Sequence, residues 1–388
     1  MDLHMVRKAK AYFDSREAER ERRATREEII GAIRAVDDSR LDTCAHRAQE
    51  QYRLLRKYQG FFYKRLYDVA SLAVLVLRRA DMLRGAAVSQ GFPTPDESKA
   101  VYLGCSSNDG IMPQELAERY DIVREPFLVG RLLNSAVVGY WEESTADAKR
   151  SPFFRAQALV YLANVAHAIW AYSPAAIITT SESSFACSLI TGLCRKAGVE
   201  HICIMHGEKL IQPGTAFFEV DTFYVWDGYY ADLFASCGAN VGRYIVSNPW
   251  TAQRCASDGD GRRLTYYLQL PPHDMRGFAD MLGRFEAAGW RVKVRPHPSD
   301  IESGRYERYF DADQIEDGRK VGILDSIDGA DMVVSQYSTV LFQAWSRGVA
   351  ACIDDVSDPG LFENVVDKRF IMLEREHALL SGLLDGLS

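Results

Sequence analysis

The most informative stretch of this sequence is Lys293-Val294-Arg295-Pro296-His297-Pro298-Ser299. The residues from Trp290 to Val294 have the apolar pattern of a buried strand. Proline has no N–H to donate to a sheet, so the strand must end near Pro296 and leave His297 at its carboxyl end. Because open α/β sheets bind ligands at the carboxyl ends of their strands, this stretch predicts an α/β fold with His297 and Pro298 beside a bound ligand.

A second stretch of the same kind is Val333-Val334-Ser335-Gln336-Tyr337-Ser338-Thr339. It begins as a short apolar strand, and the apolar residues that follow it, up to Trp345, have helical spacing. Its hydroxyl residues Ser335, Ser338 and Thr339 would then lie at a helix N-terminus, where N–H groups and the helix dipole favour phosphate. Hydroxyl residues at this position often act only as caps. Together with His297, they predict a binding site for one phosphate group.

Length and composition indicate a globular protein. The chain has 388 residues, of which 47% are hydrophobic, enough to bury the cores of two or three domains. The formal net charge of −7 and the pI near 5.7 argue against a general nucleic-acid-binding protein, because such proteins carry a basic surface. A partner that bears phosphate therefore requires a local positive pocket.

The cysteines and the N-terminus favour a cytoplasmic protein. The eight cysteines include no Cys-x-x-Cys pair, and several lie in apolar runs that suit a small buried thiol, so a reducing compartment is the simpler interpretation. The N-terminus is charged from Arg7 onward and has no apolar signal core. The longest apolar run, Val69 to Leu77, is shorter than the ~20 residues of a membrane-spanning helix. We expect a soluble protein, or one bound peripherally at the inner membrane.

Residues 1–98 are predicted to form an N-terminal helical region. Arg7 to Glu28 mixes both charge signs, which suits a solvated helix face or contact with an anionic membrane. Within it, Thr25-Arg26-Glu27-Glu28 has the pattern of a capping box that starts a helix. From Tyr52 to Leu83, apolar residues recur at helical spacing. This pattern predicts a helix packed in a core or in an interface between copies of the chain.

The rest of the chain alternates strands with helices, the pattern of mostly parallel sheets. Residues 99–256 are predicted to form one Rossmann-like domain and residues 262–370 another, joined by the polar linker Ser257 to Gly261 and followed by a C-terminal helix over residues 371–388. We expect the site in a cleft between the two domains. The predicted strands are Ala100 to Leu103, Ala175 to Thr180, His201 to Met205, Thr222 to Val225, Arg243 to Val246, Leu264 to Leu270, Arg291 to Arg295, Met332 to Val334 and Ala350 to Ile353.

The order of three motifs resembles a known family. His206-Gly207, then His297-Pro298, then Ser335 to Thr339 with a helix ending at Gly348, is similar to the two-domain GT-B glycosyltransferases of bacterial surface-polysaccharide synthesis. Within that class the motifs resemble those of sialyltransferases, polysialyltransferases and capsule Kdo transferases, which use CMP-activated acidic sugars and carry a His-Pro motif and a paired-serine motif. The His-Gly element is also similar to that of the teichoic-acid polymerases, which use CDP-glycerol. Here the serine motif lacks a leading pair, and the Asp-Asp-Gly element of many sialyltransferases is missing.

The resemblance implies a fold, a reaction and its partners. The fold is GT-B, in which two Rossmann-like domains face each other across a cleft, here with an N-terminal helical extension. The reaction is transfer of a Kdo-like or sialic-acid-like sugar from a CMP-sugar donor to a glycan or glycolipid acceptor in capsule or lipopolysaccharide synthesis. Neither a metal ion nor a cofactor is implied. A CDP-glycerol-type phosphotransferase is the first alternative.

Such a transfer needs a group that stabilises the departing phosphate and a base that removes a proton from the acceptor hydroxyl. His297, Pro298 and the turn from Ser335 to Thr339 suit the first task. Glu182 is the first choice for the base and His206 the second, although a carboxylate at a helix start or a hydrogen-bonded core histidine would have the same sequence pattern. The candidates that follow predicted strands of the first domain are Asp109, Glu182, His206 and Glu208.

Several other functions are supported by fewer features of the sequence. Asp227 and Asp354-Asp355 follow strands, but isolated acidic residues are more often loop residues than metal ligands, and no His/Cys spacing indicates zinc. Asp354-Asp355 could instead contact a ribose. The absence of a Gly-x-Gly-x-x-Gly fingerprint argues against a dehydrogenase. A two-domain sugar-nucleotide epimerase and a non-catalytic binding subunit have the same fold, and both stay open as competing hypotheses.

Overall fold

The computed structural model describes residues 24–86, 91–104, 109–149, 151–251, 261–269, 272, 274–297 and 300–387. The chain divides into two compact units, the first made of Met1–His206 with Ile211–Pro249 and the second of Gly207–Leu210 with Trp250–Ser388. Each unit contains one parallel sheet. The predicted α/β class with two Rossmann-like units, as in the GT-B fold, is therefore confirmed. Most of the predicted linker, residues 257–260, and the charged residues before Ala24 lie outside the described residues.

The sheet of the first unit has six strands in the order β2-β1-β3-β4-β5-β6. The strand order reverses between β1 and β3, and such a switch point is where open α/β sheets bind ligands. One apolar cluster, which includes Val101 and Ile177, covers one face of the sheet, and a second, which includes Tyr102 and Ile178, covers the other. The carboxyl halves of the central strands are buried, because both faces of the sheet are covered there. The strands are β1 Asp96–Leu103, β2 Asp121–Glu125, β3 Pro174–Thr179, β4 Glu200–Ile204, β5 Glu219–Val225 and β6 Asn240–Val246.

The N-terminal helices pack on this unit. The helix Cys44–Tyr58 packs against the helix Ala186–Ala197, and the helix Phe61–Ala86 packs against the helix Pro152–Tyr172. The predicted capping box is confirmed, because the Thr25 hydroxyl accepts a hydrogen bond from the Glu28 N–H at 3.2 Å and the Thr25 N–H donates to the Glu28 carboxylate at 3.0 Å. The helices are α1 Arg26–Arg34, α2 Cys44–Tyr58, α3 Phe61–Ala86, α4 Gln114–Arg119, α5 Ser135–Ser144, α6 Pro152–Tyr172, α7 Ala186–Ala197 and α8 Gly228–Ser236.

The helix predicted from Tyr52 to Leu83 is broken in two. Gln59 is extended, with ψ of 148°, and Gly60 follows it, so α2 ends and α3 begins at this point. The apolar centre of α3 was predicted to pack in a core or in an interface between copies; Val69 and Leu77 are 68% and 79% exposed, so the core alternative is wrong and the interface stays a prediction. Among the described helices, none has the length and apolarity to cross a membrane.

The sheet of the second unit has five strands in the order β11-β10-β9-β7-β8. Its order reverses between β7 and β9, which makes the ends of these two strands the switch point of this sheet. A core that includes Tyr266, Phe278 and Phe285 lies between the sheet and its helices. The strands are β7 Arg263–Tyr267, β8 Arg291–Arg295, β9 Met332–Ser335, β10 Ala350–Ile353 and β11 Ala378–Leu379. The helices are α9 Met275–Ala287, α10 Ile323–Asp328, α11 Thr339–Ser346, α12 Pro359–Asp367 and α13 Leu380–Gly386.

Two strands were not predicted, and both lie at sheet edges. Strand β2 has the sequence Asp-Ile-Val-Arg-Glu and is only partly buried, so it lacks the apolar run of a central strand. Strand β11 is two residues long and pairs with Cys352 and Ile353. The single C-terminal helix predicted over residues 371–388 is instead a 3₁₀ turn at Ile371–Glu374, then β11, then α13. Pairing with β10 interrupts the helix because it holds Ala378 and Leu379 extended.

Candidate active site

Glu182 and His206 lie together at the carboxyl edge of the first sheet. Strands β3 and β4 are parallel neighbours, with Thr179 opposite Cys203 in the register. Glu182 lies three residues after Thr179, and His206 lies three residues after Cys203. Both residues therefore lie at the same edge of the sheet. Glu182 Oε1 lies 3.2 Å from His206 Nδ1. Two of the residues predicted from sequence to be catalytic therefore form one pair.

The two side chains of this pair differ in exposure. The Glu182 side chain has no exposed surface, whereas that of His206 is 40% exposed. A general base must come within about 3 Å of the hydroxyl whose proton it takes. Glu182 was the first choice for this base, but its burial leaves His206, the second choice, as the member of the pair that an acceptor can touch.

Two residues that the sequence analysis missed hold Glu182 in place. The thiol of Cys203 in β4 lies 3.6 Å from the second carboxylate oxygen, and burial raises the pKa of this thiol, so it keeps its proton and donates. Gln51 in α2 donates to the main-chain carbonyls of Gly214 at 2.6 Å and Glu182 at 3.4 Å. No local pattern marks Gln51, because it reaches the site from a helix more than a hundred residues earlier in the chain.

The core histidine of this region is His201 and not His206. His201 is fully buried in β4, and its two ring nitrogens lie 2.9 Å from the Thr179 hydroxyl and 2.7 Å from the Thr191 hydroxyl. Burial lowers the pKa of His201 to about 3, so the ring is neutral near neutral pH. These bonds join β3, β4 and α7.

A cavity of about 330 Å³ lies at the switch point between β1 and β3. Its lining includes the hydroxyl residues Ser181 and Ser183, which flank Glu182 in sequence, and the rings of Phe127 and Tyr161, whose centroids are 4.6 Å apart. The cavity therefore combines hydroxyl groups with an aromatic wall. Asp109, another predicted catalytic residue, begins the 3₁₀ turn Asp109–Ile111 after β1, but its side chain lies outside the described residues.

In the second unit, His297 lies at the carboxyl end of β8, as predicted. Pro296 is buried and His297 is exposed, while Pro298 lies outside the described residues. The strand end is anchored by Arg295, a buried side chain that donates to Glu316 at 2.6 Å and to the Val321 carbonyl at 2.8 Å. This anchoring sets the direction in which the chain leaves the sheet at His297.

The three predicted hydroxyl ligands have different surroundings. Ser335 is buried at the end of β9, and its hydroxyl donates to the Tyr267 carbonyl at 2.9 Å. Ser338 caps α11, its hydroxyl accepting from the Val340 N–H at 3.3 Å. Thr339 is the first residue of α11, whose N-terminus carries the positive end of the helix dipole. Only strand β7 separates β8 from β9, so the two strand ends lie about 10 Å apart at the usual strand spacing.

Glu208 is fixed to the start of α11. Its N–H donates to the Thr339 hydroxyl at 2.9 Å, and its carbonyl accepts from the Tyr337 hydroxyl at 3.3 Å. Its carboxylate accepts from the N–H of Lys209 at 3.1 Å. Gly207 has φ of +65°, a backbone conformation that favours glycine and explains the Gly of the His-Gly motif. The structure thus brings Glu208 to Thr339 in the second unit, while Glu182 and His206 meet in the first.

The acidic residues considered as metal ligands have structural roles. Asp227 caps α8 by accepting from the Tyr229 N–H at 2.8 Å. Asp354 is buried and accepts from two N–H groups, of Val356 and Ser357, at 2.8 Å each. Asp355 accepts from the Ser381 hydroxyl at 2.6 Å, which occupies the carboxylate proposed for ribose. Within the described part of the chain, no cluster of three or more His, Cys, Asp or Glu side chains is arranged to hold a metal ion.

Comparison with solved structures finds distant likenesses to transferases. The wall teichoic acid polymerase TagF shares 10% identity at a TM-score of 0.44, covering 84% of this chain and 88% of that chain. The glycosyltransferase SnogD from Streptomyces nogalater shares 12% identity at a TM-score of 0.34, covering 75% and 99%. A point mutant of the Thermobaculum terrenum O-GlcNAc transferase shares 10% identity at a TM-score of 0.30, covering 93% and 76%. No protein-family model and no curated protein matches the sequence. The function is therefore inferred from the residues of this chain.

Proposed function

We propose that this protein is a transferase that moves an acidic sugar of the Kdo or sialic acid type from a CMP-activated donor to a hydroxyl of a glycan or glycolipid acceptor. The observation that carries the proposal is the Glu182–His206 pair, a half-exposed imidazole 3.2 Å from a buried carboxylate at a strand end. The choice of donor rests on the resemblance of the His297-Pro298 and serine motifs to those of CMP-sugar enzymes.

In the proposed mechanism, His206 is the general base. The Glu182 carboxylate beside Nδ1 favours the tautomer with a proton on that nitrogen, which makes Nε2 the nitrogen that accepts the proton of the acceptor hydroxyl. As the imidazole becomes an imidazolium, the same carboxylate stabilises its positive charge. Glu182 therefore acts through His206 and does not contact the acceptor. The acceptor glycan is proposed to lie along the carboxyl edge of the first sheet, where the neighbouring cavity lined by Phe127 and Tyr161 offers a sugar ring both an apolar wall and hydroxyl groups.

The donor phosphate is proposed to bind in the second unit. His297 can donate a hydrogen bond to a phosphate oxygen, and the N-terminus of α11 at Ser338 and Thr339 favours negative charge. When the bond between the sugar and CMP breaks, negative charge grows on the departing phosphate, so both groups stabilise the transition state. Ser335 has no part in this proposal, because its hydroxyl is buried and bonded to the main chain.

A second candidate is a CDP-glycerol-type phosphotransferase. Its reaction also needs a base for an acceptor hydroxyl and also releases CMP, so the Glu182–His206 pair suits it equally well. What favours this candidate is the His206-Gly207 element itself, with an exposed imidazole and a glycine at positive φ. An epimerase would have no acceptor hydroxyl from which a base must take a proton.

The donor is identified by binding and by turnover. A ligand that binds only the folded state raises the melting temperature, so CMP, CDP, UDP and GDP are compared by thermal shift. CMP release is then measured with CMP-Kdo, CMP-sialic acid and CDP-glycerol in the presence of a purified glycan acceptor. Turnover of an acid-sugar donor supports the proposal, and turnover of CDP-glycerol alone supports the second candidate. Stabilisation by UDP or GDP alone, with no CMP release from any donor, would reject both.

A further inference from the structure

Helix α3 has its apolar side chains on the outside. Phe62, Leu66, Val69, Val76 and Leu83 recur at helical spacing along one stripe, and each is more than half exposed. The remaining exposed positions of α3 are also apolar, except for three arginines. We call the exposed positions of this helix the α3 face. At 1.5 Å per residue, a helix of 26 residues is about 39 Å long.

Two polar residues of α3, Asp68 and Ser71, lie against the protein. Asp68 bonds to Arg56 of α2 at 2.7 Å, and Ser71 is buried. A surface helix exposed to water has the opposite arrangement, with its polar residues outside and its apolar stripe against the core. On α3 apolar residues lie outside as well as against the core, where Leu75 and Met82 pack, and the outward stripe indicates an apolar environment for the α3 face.

The charge of the α3 face has one sign. Its charged residues are Arg65, Arg79 and Arg84, and no Asp or Glu is among its exposed positions. The partly buried Asp81 at its edge pairs with Arg84 at 2.9 Å. Arginine can lay its aliphatic stem along an apolar surface while its guanidinium reaches anionic headgroups. A second copy of the same face would instead bring arginines together with no exposed carboxylate to pair with them.

The apolar surface continues beyond the helix. Leu128, Val129 and Leu132 are 46%, 58% and 84% exposed in the loop after β2. This loop is fixed to the end of α3, because Arg78 donates to the Arg131 carbonyl and a side chain added at Gly85 would come within 2.8 Å of Leu133. The loop and the helix end are therefore held together as one surface.

We propose that the α3 face and the loop from Leu128 to Leu132 bind the surface of an anionic lipid bilayer, with α3 lying in the membrane plane. Its apolar stripe enters the boundary between headgroups and acyl chains, and its arginines contact the headgroups. This binding adds a membrane partner to the proposed transferase and does not depend on that activity.

The test is sedimentation of the full chain with vesicles of phosphatidylglycerol or of phosphatidylcholine. We expect the protein to sediment with phosphatidylglycerol far more than with phosphatidylcholine, and less at high salt, because salt screens the contribution of the arginines. Val69→Asp and Val76→Asp should each weaken binding by about tenfold or more, since each places a carboxylate against the bilayer. Val246→Asp is the matched control: Val246 is 59% exposed on β6, away from the α3 face, and its substitution should change nothing.

The arginines are tested apart from the apolar stripe. Arg65→Glu combined with Arg79→Glu should abolish sedimentation with phosphatidylglycerol at an unchanged melting temperature, whereas Arg276→Glu on α9 should not. The proposal is overturned if the wild-type protein stays in the supernatant, or if the double variant or the valine variants sediment as the wild type does. It is also overturned if light scattering finds a lipid-free dimer that Val69→Asp dissociates, because a second copy would then cover the face.

Discussion

Glu182 Oε1 lies 3.2 Å from His206 Nδ1, and of these two side chains only that of His206 reaches solvent. The carboxylate therefore faces Nδ1 of the ring, while part of the His206 side chain is in contact with solvent. In a general-base mechanism, this arrangement makes His206 the group that takes the proton and Glu182 the group that positions the imidazole ring. The two substitutions are expected to have different consequences.

Replacing His206 by alanine removes the proposed base. We expect kcat to fall by ~10²–10⁴-fold, the usual loss for a general base, with little change in nucleotide affinity, because the base is not needed to bind the donor. CMP release and calorimetric titration measure the two effects. His167→Ala is the control: its side chain is 34% exposed and also belongs to the first unit, so it should leave both quantities unchanged. Full activity of His206→Ala would mean that another residue is the base.

Replacing Glu182 by glutamine keeps the shape of the side chain and removes its charge. Because Glu182 acts through His206, we expect a smaller loss, of about 10²-fold in kcat, with unchanged KM for the donor. Steady-state kinetics separates kcat from KM, and circular dichroism checks that the buried site still folds. If Glu182→Gln lost as much activity as His206→Ala and the double variant lost no more, the two residues would act as a single unit. Normal turnover of Glu182→Gln would remove Glu182 from the mechanism.

Replacing His297 by alanine should weaken the donor site. A hydrogen bond to a charged phosphate is worth about 1.5–3 kcal/mol, so the Kd for the nucleotide should rise by about 10- to 100-fold and kcat/KM should fall with it. Calorimetric titration measures the change. His377→Ala is the control in the same unit, since His377 bonds to the Arg375 carbonyl at 2.8 Å and is not part of the proposed site. Equal affinity of wild type and His297→Ala would place the phosphate elsewhere.

Replacing Ser338 by alanine distinguishes a cap from a ligand. The Ser338 hydroxyl caps α11, so its loss should cost about 1 kcal/mol in the free energy of unfolding, measured in urea. If the main-chain N–H groups bind the phosphate, nucleotide affinity should change by less than it does in His297→Ala. A loss of affinity as large as that of His297→Ala, without a loss of stability, would make the hydroxyl itself a phosphate ligand.

His201 predicts a pH dependence of stability. Burial lowers its pKa to about 3, while the pKa of an unfolded histidine is about 6.5, so below the latter value the unfolded chain binds a proton that the folded chain does not. This histidine therefore has no effect on stability above about pH 6.5 and destabilises the fold increasingly as the pH falls toward about 3, by up to about 1.4 kcal/mol per pH unit. Urea unfolding at several pH values, wild type against His201→Gln, isolates this contribution from that of the carboxylates. Parallel pH curves for the two proteins would contradict it.

The sequence determined the central strands and the positions at which they end. Strand β4 ends in a buried apolar run, and β8 alternates buried valines with charged residues, and both patterns are visible in the sequence whatever the order of the strands. Proline and glycine mark where the chain leaves the sheet at His297 and His206, because their backbone restrictions are local. Strands β2 and β11 lacked this signal because β2 is only partly buried and β11 is two residues long.

The tertiary structure alone decided which side chains meet and which are buried. Glu182 and His206 form a pair because β3 and β4 are neighbours, an order that depends on packing and is absent from either local pattern. Ser335 and Ser338 look alike in sequence, but the first ends a strand and bonds to the neighbouring strand, while the second begins a helix. The apolar run of α3 likewise predicted packing in a core or in an interface between copies, yet its stripe is exposed, while Asp68 on the other side of the helix pairs with Arg56 of α2. The local sequence pattern shows which residues can be buried. Only the packing of segments that are distant in the sequence determines which residues each side chain contacts.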